Sequence, residues 1–409
     1  MLLAVLLKSI FKTGTLTVID ANGRTHRFGD NEEPHVTIRL HNKALHTRLF
    51  FNPMLAVGEA FMDETLTVEE DGDVYDFLAL CLRNLGTTYG HWGQELIASL
   101  RQMTRRIAQY NPVGTAQRNV AHHYDLSDTL YGLFLDKDRQ YSCAYFATSE
   151  DSLDEAQENK KRHIAAKLLL APENRVLDIG SGWGGLALYL SRVSGADVTG
   201  VTLSTEQQTV SRDRAASIGL ADRVRFKLID YRDVDDHFDR IVSVGMFEHV
   251  GIGHYREFFD KIRDLLADDG VALLHSIGRF DGPGSTNPWV RKYIFPGGYV
   301  PALSEVLPAI ERSGLVTADI EILRLHYAET LKAWRRNFNT HRDKIREIYD
   351  DRFCRMWEFY LAGSEASFRY GGIMVFQIQI AKQQDAIPLT RDYITDWERA
   401  QQKRDRAAA

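Results

Sequence analysis

A chain of 409 residues, 44% of them hydrophobic, can bury two cores, and its net charge of −6 supplies no global basic field to attract nucleic acid. Cys81, Cys143 and Cys354 are too few and too scattered for a disulfide framework or a zinc cluster, which suits a reducing compartment. No apolar run approaches the ~20 residues that span a bilayer, and the short apolar start, Met1 to Leu7, lacks the flanks of a signal peptide.

In chain order, the first segment predicts an amphipathic helix ending near Lys12, then a strand over Thr15–Ile19 and a turn at Asn22-Gly23 before Thr25–Phe28. Val36, Ile38 and Leu40 alternate with polar residues as in a half-buried strand; Leu66 and Val68 suggest another, and Val74 to Leu85 reads as a helix. Nothing here carries chemistry, and residues 1–110 read as a small α+β accessory domain. From Gln94 to Tyr110 the apolar spacing is helical, and Arg101, Arg105, Arg106 and Arg118 add local positive charge that could rest on anionic lipid headgroups. Asn111-Pro112-Val113-Gly114-Thr115 breaks the helix, so 111–118 is read as a linker.

Two polar and aromatic clusters follow, His122 to Asp128 and Tyr141 to Phe146, with the low periodicity of cleft-lining segments. His122 and His123 have no further ligand spacing, so no metal is expected. Next comes the stretch that organises the rest: Arg175 to Ile179 is an apolar strand running into Gly180-Ser181-Gly182-Trp183-Gly184-Gly185 and a helix. Glycines there allow a sharp turn and close approach of a ligand to the backbone, and the helix start offers free N–H groups. The spacing fits a dinucleotide site and an S-adenosylmethionine site equally well.

Beyond it, strands and helices alternate as in a doubly wound sheet. Strands are predicted at Asp197–Leu203, Val224–Leu228, Arg240–Val244, Val271–Leu274, Ile320–Leu323 and Ile373–Ile380, with a helix opening at the capping-box sequence Ser204-Thr205-Glu206-Gln207. The insertion from about Leu325 to Tyr370 is aromatic and basic and reads as helical and lid-like. Val201-Thr202-Leu203 lacks the acid that a nicotinamide site places at this strand end, which weakens the dinucleotide reading and, to a similar degree, the methyltransferase one. Glu248 and His275 each follow a strand, and ligands in open α/β sheets sit beyond the strands' carboxyl ends, so both side chains fall beside the glycine turn. A carboxylate and an imidazole brought together there could hold a proton acceptor.

At this point the sequence resembles the cyclopropane fatty acid synthase family, which includes the mycolic acid cyclopropane synthases. The resemblance rests on His123 to Asp128, Tyr141 to Phe146, Val176 to Gly185, Arg240 to His249 and Tyr293 to Gly298, in order across about Asn119 to Ala381. It implies an α/β fold: a class I S-adenosylmethionine-dependent methyltransferase (Rossmann-like) domain with a seven-strand sheet and a helical lid insertion, over 119–395, before a polar tail at 396–409. The implied reaction adds a methylene from S-adenosylmethionine across a cis double bond of an unsaturated phospholipid acyl chain. Tyr141, Ser142, Asp178, Gly180, Gly182, Thr202, Leu203, Gln207 and Tyr231 are the implied cofactor contacts. Glu248, His275, Tyr327, Cys143 and Ile277 match the family's bicarbonate site, the last two through backbone groups.

Two positions depart from the family pattern: Ser181 replaces the usual cysteine of the glycine turn, and Ser364 replaces a cysteine often found after Tyr360-Leu361. A thiol at position 364 is therefore not required. The aromatic residues Tyr124, Tyr145, Phe146 and Tyr327 are candidates for lining the acyl pocket and facing a carbocation. Such a substrate implies a cytoplasmic protein docked peripherally on the inner membrane face, with Arg101–Arg118 and Trp334-Arg335-Arg336-Asn337-Phe338 as contacts, and a homodimer by resemblance alone. The same transfer ending in a methyl-branched or methylene-bearing chain, or a non-catalytic lipid-binding protein, are the competing readings.

Overall fold

The computed structural model describes residues 2–69, 72–86 and 128–408. The chain packs as two compact units, one gathering the described residues of Met1–Thr104 with Ser285–Pro296 and Tyr327–Ile373, the other gathering those of Arg105–Gly284 with Gly297–His326 and Met374–Ala409. The helical insertion, which interrupts the second unit in sequence, belongs with the N-terminal residues in packing.

The first unit carries a four-stranded sheet of β1 (Thr15–Ile19), β2 (Thr25–Gly29), β3 (His35–Leu40) and β4 (Leu66–Val68) in the order β2-β1-β3-β4. Leu16, Val18, Val36, Ile38 and Leu40 point to one face and bury against Leu45, Leu49, Ala56 and Ala60, which lie on two helices, Leu45–Phe51 and Pro53–Met62. The helix Val74–Leu85 begins on a capping box in which Asp73 and Asp76 satisfy each other's backbone N–H groups.

The insertion forms three helices, His326–Thr340, Arg342–Ile348 and Asp351–Tyr370. Inside the first unit Glu365, 1% exposed, accepts from Arg335 and Arg369, and Arg335 reaches on to Asp73 at 2.7 Å. Arg83 bonds the Tyr370 hydroxyl at 2.6 Å and stacks on its ring. These pairs fix the insertion helices to the helix Val74–Leu85. They also correct one expectation: Trp334 and Phe338 are both 0% exposed, so neither can face a membrane. The basic segment Arg101–Arg118 and Tyr124 lie outside the described residues.

The second unit is a seven-stranded sheet: β5 (Arg175–Ile179), β6 (Asp197–Thr202), β7 (Val224–Leu228), β8 (Phe238–Val244), β9 (Leu266–Arg279), β10 (Val316–Ile322) and β11 (Ile373–Ala381). Its order is β10-β11-β9-β8-β5-β6-β7. β5 to β9 pair in parallel, and β11 enters between β9 and β10, antiparallel to β10. Alternate residues of the central strands serve two cores. Leu177, Ile179, Ile241 and Leu274 pack against the helices Tyr255–Leu265 and Leu303–Ser313. Val176, Val242 and Leu273 pack on the other side against the helices Leu153–Lys167 and Gly185–Ser194.

Residues 392–408, part of which the sequence pattern reads as a polar tail, form a helix. Its Glu398 bonds His163 at 2.7 Å and its Asp405 bonds Arg162 at 3.1 Å, so its polar side chains have partners on Leu153–Lys167.

Candidate active site

The carboxyl ends of β5, β6 and β8 open into one cleft, as the parallel arrangement requires. Tyr141, Ser142, Asp178, Gly180 and Gly182 line it, together with Thr202, Leu203, Gln207 and Tyr231, so the nine expected cofactor contacts share a single cavity. Gly182 has φ +53°, and a Cβ built on it would meet nothing within 4 Å, which leaves space for close approach of a ligand. Gly185 is glycine for another reason. A Cβ there would lie 2.3 Å from Asp138 Oδ2 and 2.4 Å from Gln140 Nε2, so the 138–140 loop packs directly on the helix start.

That loop is held from behind by cations of the helix Leu153–Lys167. Lys160, 0% exposed, donates to Gln140 Oε1 at 2.7 Å and to Ser142 Oγ at 2.8 Å; burial brings its pKa down to about 8. Gln157 donates to the carbonyl oxygens of Gln140 and Ser142. Asp138 accepts from Lys161 at 2.7 Å and from Arg214, which also donates to the Trp183 carbonyl at 2.7 Å. Burial would raise the Asp138 pKa, but the two cations outweigh it and hold it below the usual range. Arg214 thus ties one cleft wall, the 138–142 loop, to the other, the glycine turn.

The ribose-acid position is filled differently. Thr202 Oγ1 donates to Gln207 Oε1 at 2.9 Å, which leaves the Gln207 amide nitrogen as the available donor at the strand end. Ser204 caps the helix through the Gln207 backbone N–H, so only half of the expected capping box forms. Asp178, buried, has its pKa raised to about 7, and its Oδ2 finds no hydrogen-bond partner among the described residues. An unpaired acceptor in a lined cleft is a place for a ligand donor. These features fit S-adenosylmethionine, whose ammonium, ribose hydroxyls and adenine need such groups.

Glu248 lies on the turn Phe247–His249, between the cleft residues Met246 and His249. Its Oε1 accepts from the Ile277 backbone N–H at 2.6 Å, and its Oε2 has no partner among the described residues. Burial lifts its pKa to about 7, against the opposing hydrogen bonds. His275, two residues before Ile277 on β9 and 2% exposed, receives Gln377 Nε2 at Nδ1, 3.1 Å away. Burial depresses its pKa to about 3, so the ring is neutral.

Glu248 and His275 are therefore joined through one short stretch of β9. Of the Ile277 backbone groups, the N–H is taken by Glu248. Cys143 is fully buried, its Sγ 3.3 Å from the Ala144 carbonyl oxygen.

The described aromatic candidates pack against other rings. Tyr145 stacks on His163 (4.4 Å, 18°) and on His326 (4.8 Å, 14°). The Phe146 ring also stacks on His326 (6.4 Å, 15°), and its N–H is bonded to His326 Nδ1 at 3.0 Å. Tyr327 belongs to the first unit, where its ring packs on Trp334 and Phe368.

Cleft residues not singled out from sequence include Arg139, Gln140, Trp183, Asp230, Met246 and His249. Asp230 was findable, being an acid at the end of β7. His249, with a pKa lowered to about 4 by burial, sits inside a motif already in view.

The sheet order, the glycine turn and this cleft define a class I S-adenosylmethionine-dependent methyltransferase. Coclaurine N-methyltransferase shares the fold at a TM-score of 0.65 and 17% identity, covering 80% of this chain and 99% of that one. Residues 113–378 match the profile of the mycolic acid cyclopropane synthetase family, and the chain belongs to that family. Residues 2–89 match a domain of unknown function, DUF7884. A probable fatty acid methyltransferase of Pseudomonas putida is 35% identical over 87% of this chain and 90% of its own length. The cyclopropane-fatty-acyl-phospholipid synthase of Escherichia coli K12 is 40% identical over 64% of this chain and 66% of its own. Mycolic acid cyclopropane synthase CmaA1, solved with SAH and CTAB, superposes at a TM-score of 0.62 with 32% identity, covering 66% of this chain and 99% of that one.

Proposed function

We propose that the protein adds a methylene to the cis double bond of unsaturated acyl chains in membrane phospholipids, working peripherally at the bilayer surface and forming cyclopropane fatty acids. The observation that carries the reading is the shared cavity of the nine motif residues with the Glu248 turn at its edge. When bound, S-adenosylmethionine supplies an electrophilic methyl group on a sulfonium. An alkene is a weak nucleophile, so most of what the protein can do is hold the partners in line, which is worth roughly 7–11 kcal/mol at best. The Lys160-braced 138–142 loop and the Arg214 tie serve that task, because they keep the cleft walls fixed.

Ring closure also requires loss of a proton from the added carbon. Glu248 and His275 would hold a bicarbonate ion, which supplies a proton acceptor. The charges suit an anion: His275 is neutral and Glu248, at about 7, carries its proton in much of the population near neutrality. The unpaired Glu248 Oε2 is the atom that such an ion would satisfy. Incubation with labelled S-adenosylmethionine and unsaturated phospholipid vesicles, followed by acyl-chain mass analysis, tests the reading. Cyclopropane chains support it, and absence of any labelled chain overturns it.

A second product class has its own support, since the fatty acid methyltransferase of Pseudomonas putida aligns over more of the chain than the cyclopropane synthase does. A methyl-branched or methylene product follows from the same transfer if a different proton leaves. NMR of the product chain separates the outcomes.

A further inference from the structure

We infer that Gln377 and Lys167 are positioning residues which lock His275 as the tautomer carrying its proton on Nε2, so that this nitrogen is a permanent donor. The Lys167 ammonium has donors only, and it lies 2.8 Å from Gln377 Oε1. The amide oxygen therefore faces Lys167 and the amide nitrogen faces the ring, 3.1 Å from His275 Nδ1. An amide N–H can only donate, so Nδ1 must be unprotonated to accept, and a neutral imidazole then keeps its hydrogen on Nε2. Flipping the amide would set its nitrogen against the Lys167 ammonium, donor against donor, and give up the only acceptor that Lys167 has on this residue. Lys167 and Gln377 are each 1% exposed, so water offers no alternative partner.

The lock is anchored across four elements. Lys167 pairs with Glu321 of β10, which accepts from His163 Nε2 at 2.6 Å, while His163 Nδ1 meets Glu398 of the helix Asp392–Ala408 at 2.7 Å. Gln379, two residues along β11 from Gln377, donates to the Lys167 carbonyl at 2.6 Å and fixes the end of that helix. Burial is the main reason the ring stays neutral; Lys160, Lys167 and His163 add to it, and Glu321 opposes it. None of these residues except His275 carries an expected role in the sequence motifs.

The test uses the full-length protein labelled with ¹⁵N-histidine, with the His275 signals assigned by their loss in His275→Asn. Wild type should show an unprotonated Nδ1 and a protonated Nε2. In Gln377→Glu a carboxylate faces Nδ1 and draws the proton there, while Lys167 keeps an acceptor and the fold is preserved. The tautomer should reverse, and kcat should fall on the order of 100-fold with KM for S-adenosylmethionine within about twofold. Lys167→Arg, which keeps the donors, should retain the wild-type spectrum.

A protonated Nδ1 in wild type, or an unchanged tautomer in Gln377→Glu, overturns the lock. The kinetic half rests on the proposed function; the spectra do not. A reversed tautomer with wild-type kcat would leave the lock standing and remove His275 from the proposed reaction.

Discussion

Glu248→Gln should make the protein more stable and nearly inactive, and the gain should grow with pH. The folded pKa of Glu248 is about 7 against an ordinary 4.5, with burial as the main cause. As pH rises past 4.5 the unfolded chain releases this proton while the folded chain keeps it until about 7, so rising pH favours unfolding across that window. At about 1.4 kcal/mol per unit, the full loss is about 3 kcal/mol, complete near pH 8, with about 1 kcal/mol already lost at pH 5.5. Glutamine keeps the shape and the bond from the Ile277 N–H but cannot ionise. Urea unfolding of wild type and variant at pH 5.5 and pH 8 should therefore show a stability difference that widens by about 2 kcal/mol. Turnover should fall on the order of 100-fold, because the amide does not hold the proton acceptor as the carboxyl does, while S-adenosylmethionine binding by calorimetry stays near wild type. A stability difference that does not change between the two pH values would refute the buried, protonated carboxyl, and wild-type turnover would refute its role.

His275 should respond to pH with the opposite sign. Its folded pKa of about 3 lies below the ordinary 6.5, so the unfolded chain takes up the proton first and stability is lost as pH falls from 6.5 towards 3. His275→Gln should lose about 2 kcal/mol less than wild type between pH 6.5 and pH 5 in the same urea titration. Glu365→Ala, which strips the buried partner from Arg335 and Arg369, should cost about 3 kcal/mol, read as a lowered thermal midpoint, with Glu365→Gln costing less. Arg214→Met unties the 138–142 loop from the Trp183 carbonyl and should raise KM for S-adenosylmethionine about tenfold, with little change in kcat; an unaltered KM would show that the cleft walls hold without it.

Much of the fold was written in short-range pattern. β1, β7 and the helix Val74–Leu85 fall on their predicted bounds because alternation, capping residues and apolar spacing all act within a dozen residues. The helices Leu45–Phe51 and Pro53–Met62 were missed, since Asn52-Pro53 interrupts what would otherwise be one apolar run. The strand β9 proved far longer than Val271–Leu274, because Asp268, Asp269 and Gly270 look like a turn, yet residues 266–279 form one strand. The helix Leu153–Lys167 was missed too, although Ser152 and Glu155 form a capping box at its start. Its Lys160-Lys161-Arg162-His163 run reads as a solvated face, but all four side chains are buried.

That inversion explains which part of the site the sequence could not disclose. A run of cations is readable as buried only if its acceptors are known, and here the long-range ones lie 18 to 243 residues away: Gln140, Ser142 and Asp138 before the helix, Glu321, Glu398 and Asp405 after it. Motif spacing located the groups that could touch a ligand, because those are fixed by local turns at strand ends. The groups that hold them in one protonation state come from the far end of the chain, brought in when β11 enters the sheet beside β9 and the last helix closes over Leu153–Lys167. An imidazole on β9 has no fixed tautomer without Gln377 beside it, so in this fold the late strand that completes the sheet also gives His275 its donor.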